Sequence, residues 1–449
     1  MSALVPSLAP TDRAGRGRLD ATSVLIIFVT IRLVLPSQFV VAALGGAGSP
    51  ALLVALCCLV WWSLARIQRT HAQPSSPLIG ALALFAAMII ASFYVAMARP
   101  TSAEEVSVST LTLISIAGWL GAMLLAHDGI RNTDRLLDLL HYLATLGGVL
   151  ALFGLFQFVT GQYWVDQISI PGLQAHQTVF SATMREGFTR PAGTAVHPIE
   201  FGAVMTMLLP LALARGTGQL PMAGTPRPSV LRRWWPALAI GLAIVLSLSR
   251  SAVIGLAVGV IVLALTWTAR QRIAAIAGLV GLLTVVFLAV PGIVGSVFGL
   301  FTVIGKGDPS VLSRVESYAI ADAYISQSPL FGRGIGTFLP RYRIFDNQYL
   351  LLLVEIGFLG VAALLILIAT SLWCAARAYQ RSKDTGLRGA AVAVAASASC
   401  GAVSLALFDG FSFPMMPGLW FLMMGLCGAS YRLWQVSAQR YSYADRIDA

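Results

Sequence analysis

Several residues of this 449-residue chain carry charge or hydrogen-bonding capacity at the ends of long apolar runs, where such groups are costly to place. His197 and Glu200 stand three apart, and so on one helical face, near the start of an apolar run at about 194 to 214. Arg250 lies in Ser247-Leu-Ser-Arg-Ser251 and joins two apolar runs with almost no loop. Asp346, Asn347 and Gln348 open another run, and Glu355 lies seven residues beyond Gln348 on the same face. Arg185, Arg190, Lys306, Arg314, Arg333, Arg341 and Arg343 fill the two longest polar segments. An arginine grips a phosphate or diphosphate bidentately, and a nearby carboxylate can accept a proton from a hydroxyl. The pattern suits a site for an anionic, lipid-linked substrate.

Simpler roles compete at each position. Glu355 could be a structural acid bonded to a neighbouring helix, His197 before Pro198 could cap a helix, and Arg250 could snorkel to lipid headgroups. Gly332-Arg-Gly-Ile-Gly336 has the look of a phosphate loop, but it follows no strand and lacks the spaced third glycine of the dinucleotide fingerprint. A tight backbone turn is the better reading.

The elements that hold these residues follow from composition. With 57% hydrophobic and 11% charged residues, and mean hydropathy +0.80, the chain is far more apolar than a soluble globular domain, and it is too aliphatic for a disordered one. Apolar runs of spanning length fall at about 21–40, 50–66, 77–98, 106–126, 136–159, 194–214, 234–249, 251–269, 272–293, 347–373, 387–408 and 412–434. The expectation is an all-α polytopic membrane protein of about 12 transmembrane helices. Residues 21–434 would form a single bundle between cytoplasmic tails 1–20 and 435–449, with external loops at about 160–193 and 294–346. The second loop should hold a surface helix from about Ser310 to Ser326, with Val311, Val315 and Tyr318 at helical spacing. Arg13, Arg16 and Arg18 before the first run resemble a signal peptide but serve equally as a cytoplasmic flank.

The net charge of +11 invites a nucleic-acid reading, yet the basic residues are dispersed between apolar runs. With the N-terminus inside, 20 of the 30 Lys and Arg fall on the cytoplasmic side, so both termini are expected there and no nucleic-acid partner is implied. The five cysteines, Cys57, Cys58, Cys374, Cys400 and Cys427, lie in apolar runs without metal-ligand spacing, so they read as packing residues and no metal or cofactor is expected.

Three segments together resemble the O-antigen ligase and Wzy-type polysaccharide polymerase superfamily: Phe188-Thr-Arg-Pro-Ala-Gly-Thr-Ala-Val-His-Pro198; Ser247-Leu-Ser-Arg-Ser-Ala252; and Ser328-Pro-Leu-Phe-Gly-Arg-Gly-Ile-Gly336 followed by Asp346-Asn-Gln-Tyr-Leu350 and Glu355-Ile-Gly-Phe-Leu-Gly360. The resemblance covers about residues 188–362. It implies a metal-independent, inverting glycosyltransferase at the external face of the bacterial cytoplasmic membrane, moving glycan from undecaprenyl diphosphate to an acceptor glycan. Arg190 and Arg250 would hold the diphosphate. Asp346, or second to it Glu355, would accept the acceptor's proton, and His197, Arg314, Arg341 and Asn347 would line the substrate site. Ligases of this family carry histidine where Asp346 stands, which favours the polymerase-like branch for exopolysaccharide or cell-envelope glycan. The alternatives are ligase-type transfer of finished polysaccharide to a lipid or wall acceptor, and a flippase or transporter. Membrane lipid and polysaccharide export and flippase proteins are the further partners implied.

Overall fold

The computed structural model describes residues 20–68, 76–176, 184–185, 188–221, 229–289 and 309–447. Its helices are α1 Ala21–Val34, α2 Pro50–Ile67, α3 Pro77–Met97, α4 Ala103–Gly129, α5 Thr133–Thr160, α6 Pro198–Thr217, α7 Val230–Leu246, α8 Arg250–Ala264, α9 Ala269–Ala289, α10 Pro309–Gln327, α11 Gln348–Arg381, α12 Thr385–Leu405 and α13 Met416–Ile447. A helix occupies each of the twelve apolar runs. Seven of those described, α2 to α6, α11 and α12, are long and apolar enough to cross a membrane, and α1 and α8 are shorter apolar helices. The chain is a mostly helical, multi-pass membrane protein.

Local chemistry sets where the helices begin. Proline opens α2, α3 and α6, where its missing N–H costs nothing. A reciprocal capping box between Ser102 and Glu105 opens α4, Asn132 caps α5, and Asp384 caps α12. The first run does not continue to residue 40. Pro36 ends it, and Phe39–Val41 instead forms an antiparallel pair with Leu173–Ala175 of the long 160–193 connection.

At one end of the bundle, arginines serve helix C-termini, whose last carbonyls have no partner within the helix. Arg432 donates to the His127 and Ile130 carbonyls at the end of α4, Arg233 to Gly216 at the end of α6, and Arg272 to Ala264 at the end of α8. Arg135 on α5 binds Asp20, the cap of α1, at 2.7 and 2.9 Å. The basic residues that define this end are thus structural ties as well as charges.

At the opposite end α11 is broken inside its own length. Gly357 has φ +66°, and the chain from Pro329 to Gly334 enters the gap. Arg333 and Gly334 donate to the carbonyls of Val354 and Glu355, while Phe358 and Leu359 donate to Pro329 and Leu330. Irregular backbone at this depth survives because its polar groups are paired within protein. The glycines of Gly332-Arg-Gly-Ile-Gly336 all have positive φ and press against α11, α3 and α4, so the segment is a packing turn. Glu355 is 5% exposed, and its carboxylate accepts the Phe338 N–H at 3.3 Å. Its side chain therefore fastens the inserted loop, the structural role open to it from sequence.

The helix expected at about Ser310 to Ser326 is present as α10. Tyr318 is exposed and the side chains of Val311 and Val315 lie outside the described residues. Instead Ala321, Ile320, Tyr324 and Ile325 pack with Phe338, Phe345 and Leu350 beside the start of α11. Phe338 stacks on Phe345 at 5.0 Å and meets Tyr324 edge-on at 5.2 Å.

A side chain at Gly357 would strain a left-handed φ and drive Cβ into the Leu330 carbonyl. Gly357→Ala is therefore expected to destabilise by about 1–3 kcal/mol. Gly80→Ala, in a helix with open space around its Cβ, should be neutral or slightly stabilising. Thermal melts of the purified variants in detergent check the contrast.

Candidate active site

The end of the bundle at which α6, α8, α11 and α13 begin is organised around one short connection, Phe408 to Met416. A cation and an anion hold it from different helices. Arg32 of α1, 3% exposed, donates to the carbonyls of Pro414 (2.5 Å) and Met415 (3.1 Å). Glu200 of α6, fully buried, accepts the N–H groups of Met415 (2.5 Å) and Met416 (3.1 Å). Gln348 of α11 accepts the Phe411 N–H at 2.8 Å, and the Tyr349 hydroxyl donates to Ala402 at 2.8 Å. The Arg32 guanidinium lies 4.9 Å from the centre of the Phe28 ring, and Gly418 flanks it so closely that a Cβ there would collide with Cζ.

Around this frame the proposed site residues gather unequally. Arg190 is 6% exposed and donates through Nε to the Ser247 carbonyl at 2.8 Å, while its own carbonyl accepts the Tyr163 hydroxyl at 2.6 Å. It therefore ties the 188–197 segment to the α7–α8 junction. That junction contains Leu248 at φ +47°, the single non-glycine residue with positive φ among those described. Backbone strain of this kind persists only where surrounding packing imposes it, and here Leu248 is buried with Val245 and Leu246. The tight turn makes Arg250 the first residue of α8.

The three mouth helices differ at their first turns. His197 caps α6, its Nδ1 accepting the Ile199 N–H at 3.1 Å, and Asn347 caps α11 by accepting from Tyr349 (3.0 Å) and Leu350 (3.2 Å). Ser249, at the head of α8, makes no side-chain cap, and the first turn of α8 holds no acid but begins with Arg250. A helix N-terminus carries partial positive charge and can receive an anion, and Arg250 adds a guanidinium at that point.

His197 also sits 6.0 Å, ring centre to ring centre, from Phe413 of the 408–416 connection. Burial, reinforced by the positive charge of Arg190, lowers its pKa to about 4, so it is neutral at physiological pH and serves as a hydrogen-bonding cap.

Asp409, on the same connection, was not legible as a site residue from sequence. It reads there as one acid in an Asp-Gly turn between two apolar runs. Burial pushes its carboxyl up to about 6; a hydrogen bond from Ser412 opposes the shift and the negative charge of Asp346 adds to it. Asp346 is exposed at the head of α11. Two carboxylates from two different connections are thus near enough at the mouth to repel each other electrostatically.

Of the two loop arginines expected to line the site, Arg341 has a partner on α4. Arg341 forms an exposed ion pair with Glu104 of α4, and the Arg314 side chain lies outside the described residues. The next residue, Tyr342, joins a separate latch: its hydroxyl donates to Glu105 at 3.1 Å, and Arg333 binds the same carboxylate while lying 5.4 and 5.1 Å from the Tyr324 and Tyr342 ring centres. Arg341 thus joins the clamp that holds the 328–346 loop on α4. The backbone of Arg185 pairs in a short hairpin with Phe188, while Lys306 lies outside the described residues.

Residues 235–365 match the family model described as O-Antigen ligase. That segment is similar to the O-antigen ligase family. The O-antigen ligase domain runs from α7 into α11 and contains Arg250, Arg314, Arg341, Asp346, Asn347 and Glu355. Arg190, His197 and Asp409 reach the same mouth from outside it. No curated protein matches the chain. The match supports the O-antigen ligase/Wzy-type superfamily and, with it, a glycosyltransferase-like enzyme acting on lipid-linked glycan and acceptor.

Removing either Arg32 or Glu200 leaves its counterpart buried without its opposite charge, which typically costs about 3–5 kcal/mol. Arg32→Met and Glu200→Gln should each lower stability strongly, and the double variant should lose less than the sum, because both act on the same turn. A double-mutant cycle of thermal melts measures the coupling.

Proposed function

We propose that the chain is a metal-independent membrane glycosyltransferase that moves glycan from undecaprenyl diphosphate to an acceptor sugar hydroxyl at the external face of the bacterial cytoplasmic membrane. The observation that carries this reading is the uncapped, acid-free first turn of α8, which begins with Arg250 and is tied through the Ser247 carbonyl to Arg190. Two guanidiniums and a helix N-terminus make a fixed receptor for a diphosphate. The positive-inside rule sets this mouth outside and both termini in the cytoplasm.

The reaction follows from the two charge types. The acceptor oxygen attacks the anomeric carbon from the face opposite the diphosphate, a new C–O bond forms as the bond to the diphosphate oxygen breaks, and configuration inverts. The acceptor proton passes to a carboxylate, for which Asp346 stands at the mouth, with Asp409 beside it as a second candidate. The electron pair leaves on undecaprenyl diphosphate, where Arg190 and Arg250 stabilise the growing charge. Preorganised donors of this sort are worth about 3–4 kcal/mol each, or roughly 10²–10³ in rate. His197 and Asn347 hold the helix starts that frame this space, and Glu355 holds the loop beneath it.

An aspartate at position 346 favours polymerisation of repeat units. The family model's description favours ligase-type transfer of finished polymer as the second reading. Product length separates them: loss of a polymerase leaves single repeats, whereas loss of a ligase leaves long chains on the carrier lipid.

Arg250→Ala, purified and correctly inserted, is expected to lose glycan transfer from labelled undecaprenyl-diphosphate repeats by roughly 10²-fold or more. Wild-type turnover would remove Arg250 from the site. A carboxyl with pKa about 6 is mostly protonated at pH 5 and mostly ionised at pH 7. If Asp409 must be ionised, the transfer rate should rise through that interval, and Asp409→Asn should abolish the rise while lowering the plateau.

A further inference from the structure

At the arginine-rich end, opposite the mouth, a cavity of about 260 Å³ opens where α8 and α11 flank α12. Arg388 and Thr385 of α12, Tyr379 of α11, Gln219 after α6 and Thr266 after α8 line it, with Val392 at its inner side. The Arg388 guanidinium is exposed and lies 4.9 Å from the centre of the Tyr379 ring, which fixes its direction without neutralising it. Gln219 bridges the walls, donating to Thr266 at 3.5 Å and accepting from the Trp267 indole at 3.4 Å. Asp384, four residues before Arg388, is committed to the first turn of α12, where it accepts the Gly386 and Leu387 N–H groups at 2.8 and 3.3 Å. Those amides are therefore spent, and recognition falls to the side chains.

The cavity is polar at its rim and apolar inward. Val392, which lines it, belongs to a buried cluster with Leu263, Trp267 and Ala396, while Ile261 on α8 and Leu265 just after it are largely exposed. A ligand matched to this slot has a phosphate at one end and hydrocarbon at the other. Basic pockets between helices at a membrane surface hold anionic lipid headgroups by this combination.

We propose that this cavity binds the phosphate of an anionic phospholipid, with Arg388 as the charged contact, Thr266, Thr385 and Gln219 as uncharged donors, and acyl chain along α8. The site is independent of the reaction at the opposite mouth. A soluble phosphate ester shares the headgroup chemistry but lacks the chain, so the two sources can be separated.

Native mass spectrometry of the full-length protein, delipidated and then titrated with phosphatidylglycerol, phosphatidylcholine or glycerol 1-phosphate, tests this. Wild type should retain phosphatidylglycerol over phosphatidylcholine. Arg388→Gln should weaken that retention by about fivefold, the effect of one charge at a membrane surface. Thr266→Val should weaken it less, and Arg377→Gln, whose guanidinium stacks on Trp373 away from the cavity, should leave it unchanged. Unaltered melting temperatures establish that the variants are folded. Equal retention of the two lipids by wild type, or full retention by folded Arg388→Gln, overturns the proposal. Displacement of phosphatidylglycerol by millimolar glycerol 1-phosphate, lost in Arg388→Gln, overturns the lipid assignment and leaves a soluble phosphate ester as the ligand.

Discussion

The turn from Pro414 to Met416 is held between a buried cation and a buried anion, and the geometry of the mouth depends on it. Backbone groups at that depth have no water to satisfy them, so Arg32 takes the carbonyls and Glu200 takes the amides. Each ion would be prohibitive alone. Together, with four backbone hydrogen bonds, they fix α1, α6 and the start of α13 to one another, and Gln348 adds α11 through Phe411. Asp409 lies on the connection these contacts hold, and His197, three residues before Glu200, meets Phe413 on it.

A second fastening brings the other half of the mouth into place. Glu355 and the broken turn at Gly357 take in the loop from Pro329 to Phe338, and the Glu105–Arg333–Tyr342 latch holds the same loop on α4. The loop then runs through the Phe338–Phe345 stack into Asp346. The acids and arginines thus fall into two functional kinds. Glu105, Glu200, Glu355, Arg32 and Arg333 hold backbone and loops away from the mouth's centre, and Arg190, which also ties a loop, stands with Arg250, Asp346 and Asp409 where those loops meet.

This division explains how much was legible in the sequence. Apolar periodicity located a helix in each expected run, and the proline and Ser/Asn/Asp signals marked helix starts, because both are local properties of the chain. The turn role of Gly332-Arg-Gly-Ile-Gly336 and the capping role of His197 were also local and were readable. What periodicity could not supply was partnership across the bundle. The pairing of Arg341 with Glu104 was not legible, because the two lie 237 residues apart. Arg32 looked like one charge in the first span, with nothing to connect it to Pro414. Asp409 was hidden in a short turn, and only its approach to Asp346 singles it out. The α10 helix was found, but spacing alone did not say which of its sides meets α11.

The same distinction sharpens the meaning of the net charge of +11. At one end arginines cap helix C-termini and one, Arg388, lines a cavity; at the other, two of them flank the head of α8. The central claim is that Arg190, Arg250 and the α8 N-terminus form one diphosphate receptor. A cryo-electron-microscopy structure with undecaprenyl diphosphate bound tests it most directly. The account predicts both phosphates within hydrogen-bonding distance of the two guanidiniums and the first amides of α8, on the side facing Asp346 and Asp409. Phosphate density elsewhere in the bundle, with Arg190 and Arg250 untouched, would contradict it.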